Sequence, residues 1–120
     1  MKRFLILAGV LLAGCALSPT QLREQGDQST YVMSKPAAAA ASCVARNAEN
    51  TGGTFTRGPN TSVRDGQIPG QIELVMYIQD RYFLVADFQP TGSGSTATAW
   101  VSPNTIEYMK ARLLETFKGC

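Results

Sequence analysis

Hydrophobic and polar positions divide this chain of 120 residues into unlike stretches. It begins with an unbroken apolar run, Phe4 to Leu12, directly behind Lys2 and Arg3. From Ala16 to about Met33 polar residues dominate, with Pro19, Gly26 and several Gln, Ser and Thr. Such a stretch buries too little apolar surface to order itself and reads as a flexible tether. A helix is expected next, with Ser34 as N-cap, Pro36 in the first turn, an alanine run at 37–41, then Val44, Ala45 and Ala48 before Gly52 and Gly53 stop it. Alanine combines the best helix propensity with a small side chain, so this helix can lie close to a sheet. Cys43 falls at the edge of its buried stripe. Residues 54–57 are β-prone but short, and Gly58-Pro59-Asn60 breaks them. The turn-rich residues that follow, to Gly70, make 57–70 the longest expected loop, carrying Arg57, Arg64 and Asp65.

The clearest internal pattern is a pair of runs rich in β-branched and aromatic residues, Gln71 to Gln79 and Tyr82 to Phe88, across the short polar break Asp80-Arg81. They predict a hairpin. A two-residue turn there puts Ile72, Leu74, Met76, Ile78, Phe83 and Val85 on one side and Val75, Tyr77, Tyr82, Leu84, Ala86 and Phe88 on the other, both mainly apolar. A three-residue loop reverses that parity. Residues 91–95, Thr-Gly-Ser-Gly-Ser, form a flexible connection, and Thr96 to Val101 alternates as a further strand. Ser102-Pro103 then opens a second helix whose apolar positions Ile106, Met109, Leu113, Leu114 and Phe117 make one stripe. The expected fold is α+β, a two-layer sandwich of helix, short strand, antiparallel three-strand meander and helix.

The first fifteen residues carry a different message. A basic end, a short apolar run and small residues before Cys15 make an export signal, and the run is too short for a stable span. Leu12-Ala13-Gly14-Cys15 resembles the lipobox of bacterial lipoproteins, in which that cysteine is lipidated and becomes the mature N-terminus. The resemblance implies a signal peptide over 1–14 and lipidation at Cys15; composition and length then give a tether over 15–33 and one small domain over 34–120. In lipoproteins of Gram-negative bacteria the residue after the cysteine matters for sorting. Ala16, rather than Asp, is consistent with the outer membrane and a periplasmic domain; a source that is not Gram-negative implies the cell membrane.

With Cys15 given to lipid, Cys43 and Cys120 remain as an even pair in an oxidising compartment, and a disulfide is the economical reading. The alternatives are two free thiols or a metal site. Two cysteines in a chain without histidine make a poor zinc site, so no metal is expected. The net charge of +2 resides in Lys2 and Arg3, so the remainder carries nine basic and nine acidic side chains. That balance, with no Lys/Arg cluster, argues against a nucleic-acid partner.

Chemistry is hard to assemble from these residues. Without histidine neither a Ser-His nor a Cys-His nucleophile pair exists, and the acids are scattered, Asp80 and Asp87 reading as a turn and a sheet-edge charge. The glycine-rich stretches lack the lysine of a phosphate loop. The expectation is therefore a protein that is no enzyme and takes no cofactor. Its candidate partner-binding residues are Arg57, Arg64, Tyr77, Tyr82 and Phe88, the arginines from the loop and the aromatics from the hairpin. The leading expectation is an outer-membrane lipoprotein serving as a binding or accessory component of a cell-envelope complex. The alternative is a tethered inhibitor or immunity protein that offers a rigid loop to a cell-wall hydrolase or toxin.

Overall fold

The structure, a computed structural model, describes residues 17–50 and 59–120. The fold is α+β, with three helices, α1 (Pro19–Gln25), α2 (Ala37–Asn50) and α3 (Glu107–Glu115), and five strands, β1 (Asp27–Met33), β2 (Asn60–Asp65), β3 (Ile72–Ile78), β4 (Arg81–Thr91) and β5 (Gly94–Val101). All strand pairs are antiparallel and the order across the sheet is β1-β5-β4-β3-β2. The expected meander is β3-β4-β5, and it acquires one further strand on each side. The expected strand at 54–57, the signal at 1–14, Cys15 and Arg57 lie outside the described residues.

Three expectations about irregular segments are overturned. Residues 19–33, expected as tether, form α1 and the edge strand β1. Residues 60–65, expected as loop, form the opposite edge strand β2. Neither strand has an apolar pattern of its own: in β2 only Val63 is a large apolar residue, and it is exposed. Each is ordered by the backbone edge of a stronger neighbour, β5 for β1 and β3 for β2, whose unpaired N–H and C=O groups it satisfies. The supposed flexible connection at 91–95 is likewise a tight turn, Thr91 pairing with Gly94 and Gly92 taking a φ of 58°. That conformation is open to glycine without steric penalty.

The hairpin corrects the expected faces. Its turn is Gln79-Asp80, one residue earlier than Asp80-Arg81, and the register shifts between Met76 and Tyr77, leaving Phe83 as an extra residue in β4. Moving a two-residue turn by one position keeps parity, whereas the one extra residue reverses it for everything beyond the bulge. Leu74 therefore faces the same way as Ala86, and Met76 the same way as Leu84, while Val75 pairs with Val85 on the other side.

The core lies between the sheet and α2. Leu74, Met76, Leu84, Ala86, Phe88, Ala97, Ala99 and Val101 meet Ala37, Ala40, Ala41, Val44, Ala45 and Ala48. Small residues on both surfaces let the helix axis approach the sheet closely, where straddling it from β2 to β5 gains contact with four strands. The helix begins later than the Ser34 signal suggests: the Pro36 carbonyl accepts the first helical bond from Ala40, and the Ser34 hydroxyl turns to the Cys120 carbonyl, 3.4 Å away. Ser102-Pro103 opens a turn, closed by Thr105 N–H to the Ser102 carbonyl, and α3 starts only at Glu107. Ile106 thus stands in solvent, whereas Leu113 and Phe117 are buried.

The C-terminal segment is fastened at its far end. Cys43 of α2 and Cys120 form a disulfide with Cα atoms 5.8 Å apart. Beside it, Asn47 Nδ2 donates to the Thr116 carbonyl at 2.9 Å, and the Phe117 ring stacks on Tyr31 (centroids 4.8 Å) and Phe88 (6.1 Å).

Candidate functional site

The sheet face opposite α2 combines a short helix, a charge cluster and an aromatic rim. Helix α1 has only seven residues, too few to persist alone in water. Its start is capped: Gln21 N–H donates to Ser18 Oγ at 3.2 Å, Ser18 N–H donates to Gln21 Oε1 at 2.9 Å, and Pro19 fits the first turn. What holds it down is Leu22, 0 % exposed on Val75 and Val85, with Leu17, Tyr77 and Trp100 around them. Burying one leucine contributes about 2 kcal/mol. Gly26 ends the helix where a Cβ would lie 2.6 Å from the Leu22 carbonyl oxygen and 2.9 Å from that of Val101, so only glycine lets the chain press so closely on β5.

Beside this apolar patch, Glu73 on β3 and Asp87 on β4 face each other in register. Two carboxylates opposed across strands repel. Arg23 of α1 resolves the conflict: its Nε and Nη2 donate to the two oxygens of Asp87 at 2.9 and 2.7 Å, and Nη2 also reaches Glu73. Arg64, the register partner of Glu73 on β2, donates to the other Glu73 oxygen. The Arg23 guanidinium also lies 6.0 Å from the Trp100 ring centroid.

The hydrogen bond to Asp87 is the main reason that the Arg23 pKa is raised further, burial opposing it and Glu73 adding to it. Burial by itself pushes the Glu73 carboxyl up, but the hydrogen bonds from Arg23 and Arg64 outweigh it and leave it below the ordinary glutamate value. A carboxyl depressed in the fold contributes stability that is fully present above its unfolded pKa, near 4.3, and lost as pH falls through the lower folded value. Acid titration of the melting temperature is accordingly expected to show a fall below about pH 4 that is smaller in Glu73→Gln.

The hairpin end forms a rim. Tyr77 packs on the Leu22 patch and sits against Tyr82, ring centroids 6.0 Å apart, while Ile78 and Tyr82 are 39 % and 37 % exposed. At the opposite end an open groove of about 370 Å³ runs beside the disulfide, lined by Tyr31, Val32, Met33, Phe117, Lys118 and Cys120.

The candidate residues therefore part company. Tyr77 and Tyr82 come together. Arg64 lies one strand away, its side chain more than half exposed although bound to Glu73. Phe88 is a correction: it is 0 % exposed, packed on Phe117 under the helical layer, and cannot meet a partner, because the bulge at Phe83 turned it to the core face. Asp87 is no free edge charge, since Arg23 grips both of its oxygens. Arg23, Glu73 and Trp100 were not singled out as a group in the sequence. The signals were present: Ser18-Pro19-Thr20-Gln21 spells a capping box, and Glu73 is a lone acid within an apolar strand.

Among the described residues no group of three His, Cys, Asp or Glu side chains is placed to hold a metal ion, and no helix is long and apolar enough to cross a membrane. Comparison with family models, curated proteins and solved structures found no match to this chain.

Proposed function

We propose that the chain is an outer-membrane lipoprotein, anchored at Cys15 and facing the periplasm, that works without catalysis as a binding or accessory component of a cell-envelope complex. The observation that carries this reading is the Cys43–Cys120 disulfide. It suits an exported protein, and of the three cysteines it leaves Cys15, at the end of Leu-Ala-Gly-Cys, for lipid. The same balance of charge that argued against nucleic acid supports a protein partner. A non-catalytic role is supported by the carboxylates of β3 and β4, which are engaged by arginines and hold α1 to the sheet.

For the partner surface, the segment between β2 and β3 stands out. Gly66 N–H closes it on the Gln71 carbonyl at 2.7 Å, and Ile68, more than half exposed, lies in it beyond the end of β2 that carries Arg64. The inhibitor alternative asked for a rigid loop over 57–65, and residues 60–65 are a paired strand. Accessory binding is therefore the better-supported reading.

Only a thiol at the junction can take the diacylglyceryl group, so Cys15→Ser is expected to abolish membrane partitioning and leave an unprocessed precursor. Detergent-phase extraction with intact-mass measurement decides it. A serine variant that still matures and stays membrane-bound sinks the anchoring. Pull-down from solubilised membranes tests the partner: several envelope components together support the accessory role, and a single hydrolase or toxin supports the inhibitor.

A further inference from the structure

We propose that the β3–β4 hairpin end of the sheet rests in the headgroup layer of the bilayer, with Tyr77, Ile78 and Tyr82 as its seat. This rests on the anchoring of Cys15 proposed above. The argument begins with the length of chain between anchor and fold. Two Cα steps separate Cys15 from Leu17, a reach of at most about 7 Å even when fully extended. Leu17 is already part of the domain, packed on the Leu22, Val75 and Val85 patch, so no tether of the expected length exists. The polar layer of one leaflet is itself only about 5 to 7 Å thick. Acyl chains carried by Cys15 therefore draw the domain surface around Leu17 into that layer.

The residues at that surface suit it. Tyr77 packs on the same patch as Leu17, and it leads along β3 to Ile78 and, across the turn, to Tyr82. Seven large apolar side chains are exposed among the described residues, and four of them gather at this end: Ile78, Tyr82, Ile106 and Tyr108. The last two belong here because Ser102 N–H bonds to the Phe83 carbonyl at 2.9 Å, and because Lys110 pairs at 3.1 Å with Asp27, whose register partner is Val101 at the same end of β5. Tyrosine places an apolar ring and a polar hydroxyl across a headgroup boundary, the role it plays in membrane belts. The turn itself holds one acid and one base, Asp80 and Arg81, so the attraction is apolar and does not require anionic lipid. The β4–β5 turn, Gly92-Ser93, lies at the other end of the sheet, about 30 Å away along β4. In this pose it points into the periplasm, and the exposed Ile68 loop lies at that far end too, clear for a protein partner.

The test uses the full-length acylated protein in phosphatidylcholine vesicles containing lipids that carry a quencher. Asp80→Cys and Thr91→Cys are each labelled with an environment-sensitive fluorophore; with Cys15 acylated and Cys43 bonded to Cys120, the introduced thiol is the reactive one. Quenching is expected to be about fivefold stronger at position 80 than at 91, with a blue-shifted emission, and to change little with salt. Equal quenching at the two positions in protein of acylated mass overturns the pose while leaving the anchor intact. Concentration-dependent self-quenching at position 80 without lipid quenching assigns the rim to a second copy of the chain and overturns it as well. Protein whose mass shows no acyl group fails the anchoring reading, and the pose falls with it.

Discussion

Loss of the Cys43–Cys120 bond is expected to lower the melting temperature by about 15 to 20 °C, whether by reduction or by the double replacement Cys43→Ala and Cys120→Ala. The bond spans 77 residues of sequence. For a loop of that size the chain-entropy model gives about 4.5 kcal/mol, and a domain near one hundred residues shifts by about 4 °C per kcal/mol. The fraction at stake is large, because small domains have net stabilities of only about 5 to 10 kcal/mol. The loss is also expected to be uneven. Beyond the disulfide, α3 and the residues after it are held mainly by Leu113, the Phe117 stack, the Asn47 bond to Thr116 and the exposed Lys110–Asp27 pair. Hydrogen exchange in the reduced protein should therefore rise first over residues 107–120, while β3, β4 and β5 stay protected. A double variant that melts within a few degrees of the parent, or exchange that rises evenly throughout, contradicts this account.

Arg23→Ala carries the second large effect. It removes the cation between Glu73 and Asp87 and leaves two mostly buried carboxylates opposed across β3 and β4, with only Arg64 still on Glu73. Breaking a buried ion cluster by removing one partner costs about 3 kcal/mol, or about 12 °C here. Arg64→Ala is expected to cost under about 1 kcal/mol, because more than half of that side chain is in water. The pH dependence separates lost charge pairing from lost packing. Without Arg23 the buried Glu73 carboxyl loses one of the two hydrogen bonds that lower it, so it takes up its proton at higher pH than in the parent protein, and as pH falls the penalty shrinks and the gap to the parent narrows. Adding Glu73→Gln to Arg23→Ala should restore part of the loss at neutral pH. Thermal melts at several pH values measure all of this. Equal destabilisation by Arg23→Ala and Arg64→Ala, or a gap indifferent to pH, would falsify the latch. If α1 is also what carries the anchor to the sheet, the same substitution loosens the seat of the domain on the bilayer.

The parts of this fold legible in the sequence are those whose evidence is local. The alternation of Thr96 to Val101 places Ala97, Ala99 and Val101 inward, as found. The alanine helix, with Cys43 at the edge of its buried stripe, also follows from composition and spacing, and the pairing of Cys43 with Cys120, present in the structure, is expected once the lipobox resemblance sets Cys15 aside. Edge strands are legible only in part. β1 contributes little more than Tyr31 and Met33 to the core, and its order comes from hydrogen bonds to β5, more than sixty residues later in the chain. Local composition contains no trace of that partner, so a polar stretch reads as tether whether or not a free sheet edge waits for it.

By itself, then, the amino-acid sequence determined the kind of fold and the three-strand meander, since both rest on local patterns of residues whose character does not change with their surroundings. Tertiary structure alone decided which face each hairpin residue serves. One bulge at Phe83 sent Phe88 into the core, and parity in a strand turns on a single residue. It also decided what the charges mean. Glu73 and Asp87 are ordinary strand acids until the register sets them side by side, and Arg23 is an ordinary arginine until α1 lays it between them. Electrostatic energy depends on distance and burial, and both are properties of the folded sheet.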